Sequence, residues 1–145
     1  MSGVASRHPE DWLNRACRDL IRVRVLLDVD DAEGAGFHLQ QALEKALKAF
    51  LLAQGILPRR TYDLVVLLDE AVSSIPGLEP FRELCEVATG FYIPQRYPFL
   101  FVAPPDREEL EGFLDQAKEL VRVIGTAIGF EPPFFSTESP DAPSV

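Results

Sequence analysis

His38, Gln41, Lys45 and Lys48 recur at offsets of 0, 3, 7 and 10 within residues 37–52, FHLQQALEKALKAFLL. A helix turns by about 100° per residue, so the four share one strip. An imidazole, a carboxamide and two ammonium groups in a row supply hydrogen-bond donors and positive charge, which suits an anionic ligand. Arg15, Arg18 and Arg22 form a second strip, at offsets 0, 3 and 7. Guanidinium forks match phosphate geometry. One reading is a groove in which Arg15, Arg18 or Arg22 joins His38, Gln41, Lys45 and Lys48 around a phosphate-bearing ligand. The other is a solvated face. There Glu44 and Lys48 form an i,i+4 pair worth about 0.2–0.5 kcal/mol, and His38 is a satisfied, half-buried side chain.

The pattern predicts five helices with little or no strand. Pro9 suits a first helical turn, and Glu10 and Asp11 suit the positive end of the helix dipole. Leu13, Ala16, Cys17, Leu20, Val23 and Leu27 follow at helical spacing, and VDDAEGAG ends the run. A second helix is expected over 35–54, with Leu39, Ala42, Leu43, Ala46, Leu47 and Phe50 inward and Gly55 as its stop. ILPRRTYD reads as a loop in which Thr61 or Asp63 caps a third helix over 63–74. That segment, DLVVLLDEAV, is apolar enough to pass for a buried strand, and its helical neighbours decide for helix. IPGLEP reads as a turn, with Pro80 opening a fourth helix to about residue 89.

GFYIPQRYPFLFVAPP carries four prolines and five aromatics; it cannot be a regular helix and is apolar enough to pack on the body. Asp106 and Glu109 have capping-box spacing for a last helix ending near Gly125 or Gly129. Residues 1–7 read as an extension, 8–129 as one bundle, and 130–145 as a Pro- and Ser-rich mobile tail. Amphipathic helices joined by short turns predict an all-α, up-and-down antiparallel bundle of four or five helices. A two-fold homodimer is the simplest way to cover any surplus apolar face.

The net charge of −9 argues against a broad grip on nucleic acid. No apolar run reaches the roughly 20 residues that span a bilayer, and the start has no signal-peptide core, so a cytoplasmic location is expected. Cys17 and Cys85 read as reduced core thiols. No CxxC is present, and neither a metal site nor a cofactor is expected.

Several of these residues together resemble a known family. Trp12, Ala16, Asp19-Leu20, Phe37-His38, Gln41-Ala42, Glu44-Lys45-Ala46 and Lys48-Ala49 look like the HEPN domain, the "higher eukaryotes and prokaryotes nucleotide-binding" family. The family's Thr-His-Asp-Leu run is similar to Thr61-Tyr62-Asp63-Leu64 but departs at Tyr62, and Tyr92-Ile93-Pro94-Gln95-Arg96-Tyr97-Pro98 resembles a segment of small prokaryotic members. The resemblance covers about residues 8–128.

It implies an all-α, usually dimeric bundle that serves as the substrate-binding partner of a separate nucleotidyltransferase chain. This chain has no Gly-Ser pair followed by spaced aspartates, so it is not expected to transfer nucleotides alone. Another branch consists of ribonucleases, often toxins, that use an Arg four to six residues before a His. Neither His8 nor His38 has one, and no His follows Arg96. Arg96 then has two readings. It contacts phosphate or nucleotide beside Tyr92 or Tyr97, or it pairs with Asp19 or Glu44 and pins the proline-rich loop.

Overall fold

The computed structural model describes residues 6–93 and 105–131. The described residues form five α-helices: α1 (Pro9–Asp28), α2 (Ala32–Ala53), α3 (Leu64–Val72), α4 (Arg82–Thr89) and α5 (Arg107–Ile128). No strand occurs among them. The bundle is antiparallel and up-and-down. α1 and α2 form its most extensive contact, α5 packs on both, and α3 and α4 close the remaining side of α2. Leu13, Leu20, Leu39, Leu43, Phe50, Leu68, Leu114 and Ile124 are among the fully buried side chains at the centre.

The break between α1 and α2 is shorter than the sequence suggests: it is three residues, Val29 to Asp31, and AEGAG belongs to α2. Asp31 is the reason. Its carboxylate accepts the Gly34 amide at 2.9 Å, and Asp30 takes the left-handed conformation (φ 60°) that reverses the chain. The two glycines serve close approach. A Cβ on Gly34 would lie 2.5 Å from the Asp31 carboxylate, and one on Gly36 would lie 3.1 Å from the Phe91 ring. Gly55 (φ 80°) stops α2 as expected, with the Ile56 amide donating to Leu51 O at 2.9 Å.

α3 is a helix. Leu64, Leu67, Leu68 and Ala71 are buried at offsets 0, 3, 4 and 7, which no strand would produce. Its cap is Asp63, whose carboxylate accepts the Val65 amide at 3.0 Å. The expected helix start at Pro80 is corrected. Residues Pro76–Phe81 form a 3-10 turn containing both prolines, and the α-helix starts at Arg82, beyond the reach of the Pro80 ring. The capping box of α5 is formed, with Asp106 and Glu109 each accepting the other's amide. Gly129 (φ 75°) ends that helix. The Arg107 guanidinium donates to Leu27 O and so closes a carbonyl at the end of α1. The expected packing of the proline-rich segment falls largely on residues 94–104, outside the described ones, as does nearly all of the tail.

Cys17 and Cys85 are free and buried. Burial pushes the Cys17 thiol from its ordinary 9.0 to about 11, and that of Cys85 to about 12. The folded chain thus holds these protons more tightly than the unfolded one. The stabilisation is complete below about pH 9 and is lost as pH rises through 11 and 12. Urea midpoints should fall over that window, and less steeply in the Cys17→Ala/Cys85→Ala protein. Equal slopes in both proteins would contradict the assignment.

Candidate functional site

The site is organised around Asp19. This residue lies on the edge of α1 that faces α2, and its side chain is 1% exposed. Oδ1 accepts from Arg22 Nη1 at 2.9 Å and from His38 Nδ1 at 3.0 Å; Oδ2 accepts from Lys45 Nζ at 2.6 Å. A buried carboxylate without partners would be very costly, and here three donors from two helices surround it. Carboxylate oxygens only accept, so the His38 ring carries a proton on Nδ1 and donates it to Asp19.

The charges do not cancel. Lys45 and Arg22 oppose one carboxylate, leaving a surplus positive charge at the α1–α2 seam. A depression of about 530 Å³ opens there, lined by Asp11, Asn14, Arg15, Arg18, Arg22 and Lys45. Arg15 and Arg18 are exposed and form no ion pair with a described residue. This cationic basin stands on a chain whose net charge is −9.

The other edge of the α2 strip faces elsewhere. Gln40 is fully buried. Its Nε2 donates to Glu44 Oε1 at 3.1 Å and to Tyr62 O at 2.9 Å, and its Oε1 accepts from Gln41 Nε2 at 2.8 Å. Lys48 Nζ donates to Glu44 Oε2 at 2.7 Å. Beside this network lies a second cavity of about 400 Å³, bounded by Gln41, Glu44, Lys48, Arg60, Thr61 and three rings, Phe37, Tyr62 and Tyr92.

The single groove expected from the sequence is therefore two. His38 and Lys45 lie within about 20° of each other around the helix and turn to α1, whereas Gln41 and Lys48 lie about 60–80° from His38. Lys45 and Arg18 line the basin; Gln41 and Lys48 line the second cavity; His38 lines neither and binds Asp19. Asp19 pairs with Arg22 and Lys45, and Glu44 pairs with Lys48; the expected pairing of either with Arg96 falls outside the described residues. Arg96 and Tyr97 lie outside the described residues. Thr61 and Asp63 serve as turn and cap, while Tyr62 stacks on Tyr92.

The sequence reading missed Gln40, Arg60 and the ring stack. For Gln40 a signal existed: it lies at the border of the apolar stripe, four residues before Glu44. For the rings none existed, because Phe37, Tyr62 and Tyr92 are brought together only by the fold. No group of three or more His, Cys, Asp or Glu among the described residues is placed to hold a metal ion. No helix of the described residues is long and apolar enough to cross a membrane.

Asp19→Ala should lower folding stability by about 1.5–3 kcal/mol in urea titrations, because three donors at the α1–α2 seam lose their common charged acceptor. The exposed Asp28→Ala should shift it by less than about 1 kcal/mol. Nitrogen-detected NMR of His38 should show the proton on Nδ1; a proton on Nε2 alone would rule out the Asp19 hydrogen bond.

Three known proteins are similar to this chain, two in structure and one in sequence. TT1696 from Thermus thermophilus superposes with a TM-score of 0.73 at 30% identity, over 83% of this chain and 98% of that one. ST0689, described as an archaeal HEPN homologue, gives 0.66 at 26% identity with the same coverage. A protein of Methanocaldococcus jannaschii named "Putative toxin MJ1304" is 37% identical over 59 residues, which is 41% of this chain and 39% of that protein. The chain thus spans well under half of that relative's length. The sequence profile of the HEPN domain matches residues 9–126, nearly the whole described bundle. The chain belongs to the HEPN domain family.

Proposed function

We propose that the chain is a non-catalytic binding module whose basin between α1 and α2 takes the phosphate of a nucleotide or a similar anion. The observation that carries this reading is the pair Arg15 and Arg18, exposed and without ion-pair partners among the described residues, beside the surplus charge of Arg22 and Lys45. Unpaired guanidinium groups at a concave surface bind phosphate with charged, forked hydrogen bonds. Arg22 and Lys45 are already held in place by Asp19, so ligand binding need not order them. The module would act beside a separate nucleotidyltransferase chain that supplies the chemistry.

The homodimer proposal rests on a different observation. Ile21 and Val25 on α1 and Val29 just beyond its end make an apolar ridge at four-residue spacing, 46%, 55% and 66% exposed. A second copy of this chain is its proposed occupant, because two-fold pairing buries the same ridge twice. A ribonuclease reading draws on the relative named as a toxin. Against it, this chain has no Arg four to six residues before either His, and the Nδ1 of His38 is engaged by Asp19.

Calorimetric titration with ATP, GTP, CTP, UTP and AMP at low salt should give saturable heat with at least one. Arg15→Ala and Arg18→Ala should each weaken it by about 1.5–3 kcal/mol. Flat traces for all five, or unchanged affinity in both variants, would overturn the basin; RNA cleavage abolished by His38→Ala would favour the nuclease. Light scattering should give twice the chain mass for the wild type and a single chain for Val25→Glu. A wild-type monomer would sink the dimer.

A further inference from the structure

The cavity on the other side of the α2 strip calls for a different ligand from the basin. We propose that it is a second binding site, for a small planar heteroaromatic ring that carries N–H donors and one anionic group. The inference does not depend on the basin binding anything.

The ring recognition comes from a stack built by the fold. Tyr62 lies on Tyr92 with ring centroids 4.5 Å apart and planes 7° from parallel, and Tyr92 lies on Phe37 at 5.9 Å and 26°. Tyr62 is 37% exposed and forms the outer end of this stack, so an entering ring extends a pile of parallel π-faces. The platform is held before any ligand arrives. The buried Gln40 fixes the Tyr62 carbonyl at 2.9 Å, Asp63 caps the helix that follows, and Thr61 Oγ1 accepts the Asp63 amide at 3.0 Å. A stacking surface fixed from behind costs a ligand little ordering entropy.

The polar groups specify the ring's edge. Gln40 donates with Nε2 to Glu44 and to Tyr62 O, so it offers Oε1 to Gln41 Nε2. Gln41 is thereby oriented, and its Oε1 remains an acceptor at the wall of the cavity. That oxygen wants an N–H donor. The charge specifies the remaining group. Lys48 is matched by Glu44 at 2.7 Å, whereas Arg60 lines the cavity, is exposed, and pairs with no described carboxylate. One unmatched guanidinium asks for one anionic group. The volume of about 400 Å³ lies at the small end of ligand pockets, the size of a mononucleotide rather than a polymer.

The test uses the full chain carrying Arg15→Ala and Arg18→Ala, so that the basin is silent. AMP, adenosine and ribose 5-phosphate are titrated while the aromatic resonances of Tyr62 and Tyr92 are followed by NMR. AMP should bind saturably and move both rings, and adenosine and ribose 5-phosphate should each bind about tenfold more weakly. Tyr62→Ala should weaken AMP about tenfold, the scale of one base–aromatic stack. Because that change disturbs a packed ring, Arg60→Ala is the second variant. Its side chain is exposed and carries no structural pair among the described residues, so the fold should be intact. It should weaken AMP about tenfold and leave adenosine unchanged. Three results overturn the proposal: ribose 5-phosphate binding as tightly as AMP, ring resonances that stay still at saturation, or Arg60→Ala and Tyr62→Ala both keeping the parent affinity. The basin is tested separately: an AMP affinity of the unsubstituted chain equal to that of the Arg15→Ala/Arg18→Ala chain, with the rings responding in both, would refute the basin alone.

Discussion

The cationic basin of this bundle depends on one buried carboxylate. Asp19 is 1% exposed at the seam of the two longest-packed helices, and three donors from α1 and α2 close on its two oxygens. An ion in such a place contributes little net stability over an apolar pair but is costly to leave unmatched. Its consequence is geometric. Lys45, a long flexible side chain, is fixed at 2.6 Å, and the His38 ring is held through its Nδ1 at 3.0 Å. A basin then exists because the cations around Asp19 outnumber it and because Arg15 and Arg18 stand on the next turns of α1.

The same helix runs a second network on its opposite edge, with the roles reversed. There a neutral side chain, Gln40, is fully buried, and Glu44 and Lys48 match each other. Buried polar chains of this kind are specific because every member must find its partner. Gln40 ties α2 to the backbone at Tyr62, and Tyr62 meets Tyr92 three residues beyond α4. The division follows from helical geometry. A strip about 80° wide is too broad to face one neighbour, so its edges serve two. One edge is cationic and suits phosphate; the other is aromatic and suits a ring.

The fold was legible from spacing. The apolar positions of α1, α2 and α5 recur every three to four residues, and Pro9, Gly55, Gly129 and the Asp106–Glu109 box mark their ends. Two boundaries were not legible. AEGAG reads as a breaker because its glycines lower helix propensity, yet the Asp31 cap and the Phe91 ring use them. Pro80 reads as a helix start, yet it sits inside a 3-10 turn. Of the site, the candidates Arg18, Asp19, His38, Gln41, Glu44, Lys45 and Lys48 were visible as polar residues at helical offsets. Their partition between two cavities was not. It depends on which neighbour each edge meets, through long-range packing of Tyr62 on Tyr92 and of Tyr92 on Phe37.

The most direct test is a double-mutant cycle on stability between Asp19→Ala and Lys45→Ala, read by urea unfolding with the cycle Asp28→Ala and Lys45→Ala as control. A buried, directly bonded pair at 2.6 Å predicts a coupling of about 1–3 kcal/mol for the first cycle and less than about 0.5 kcal/mol for the second. Additivity in both cycles would contradict the account, because the basin would then have no anchored carboxylate at its centre.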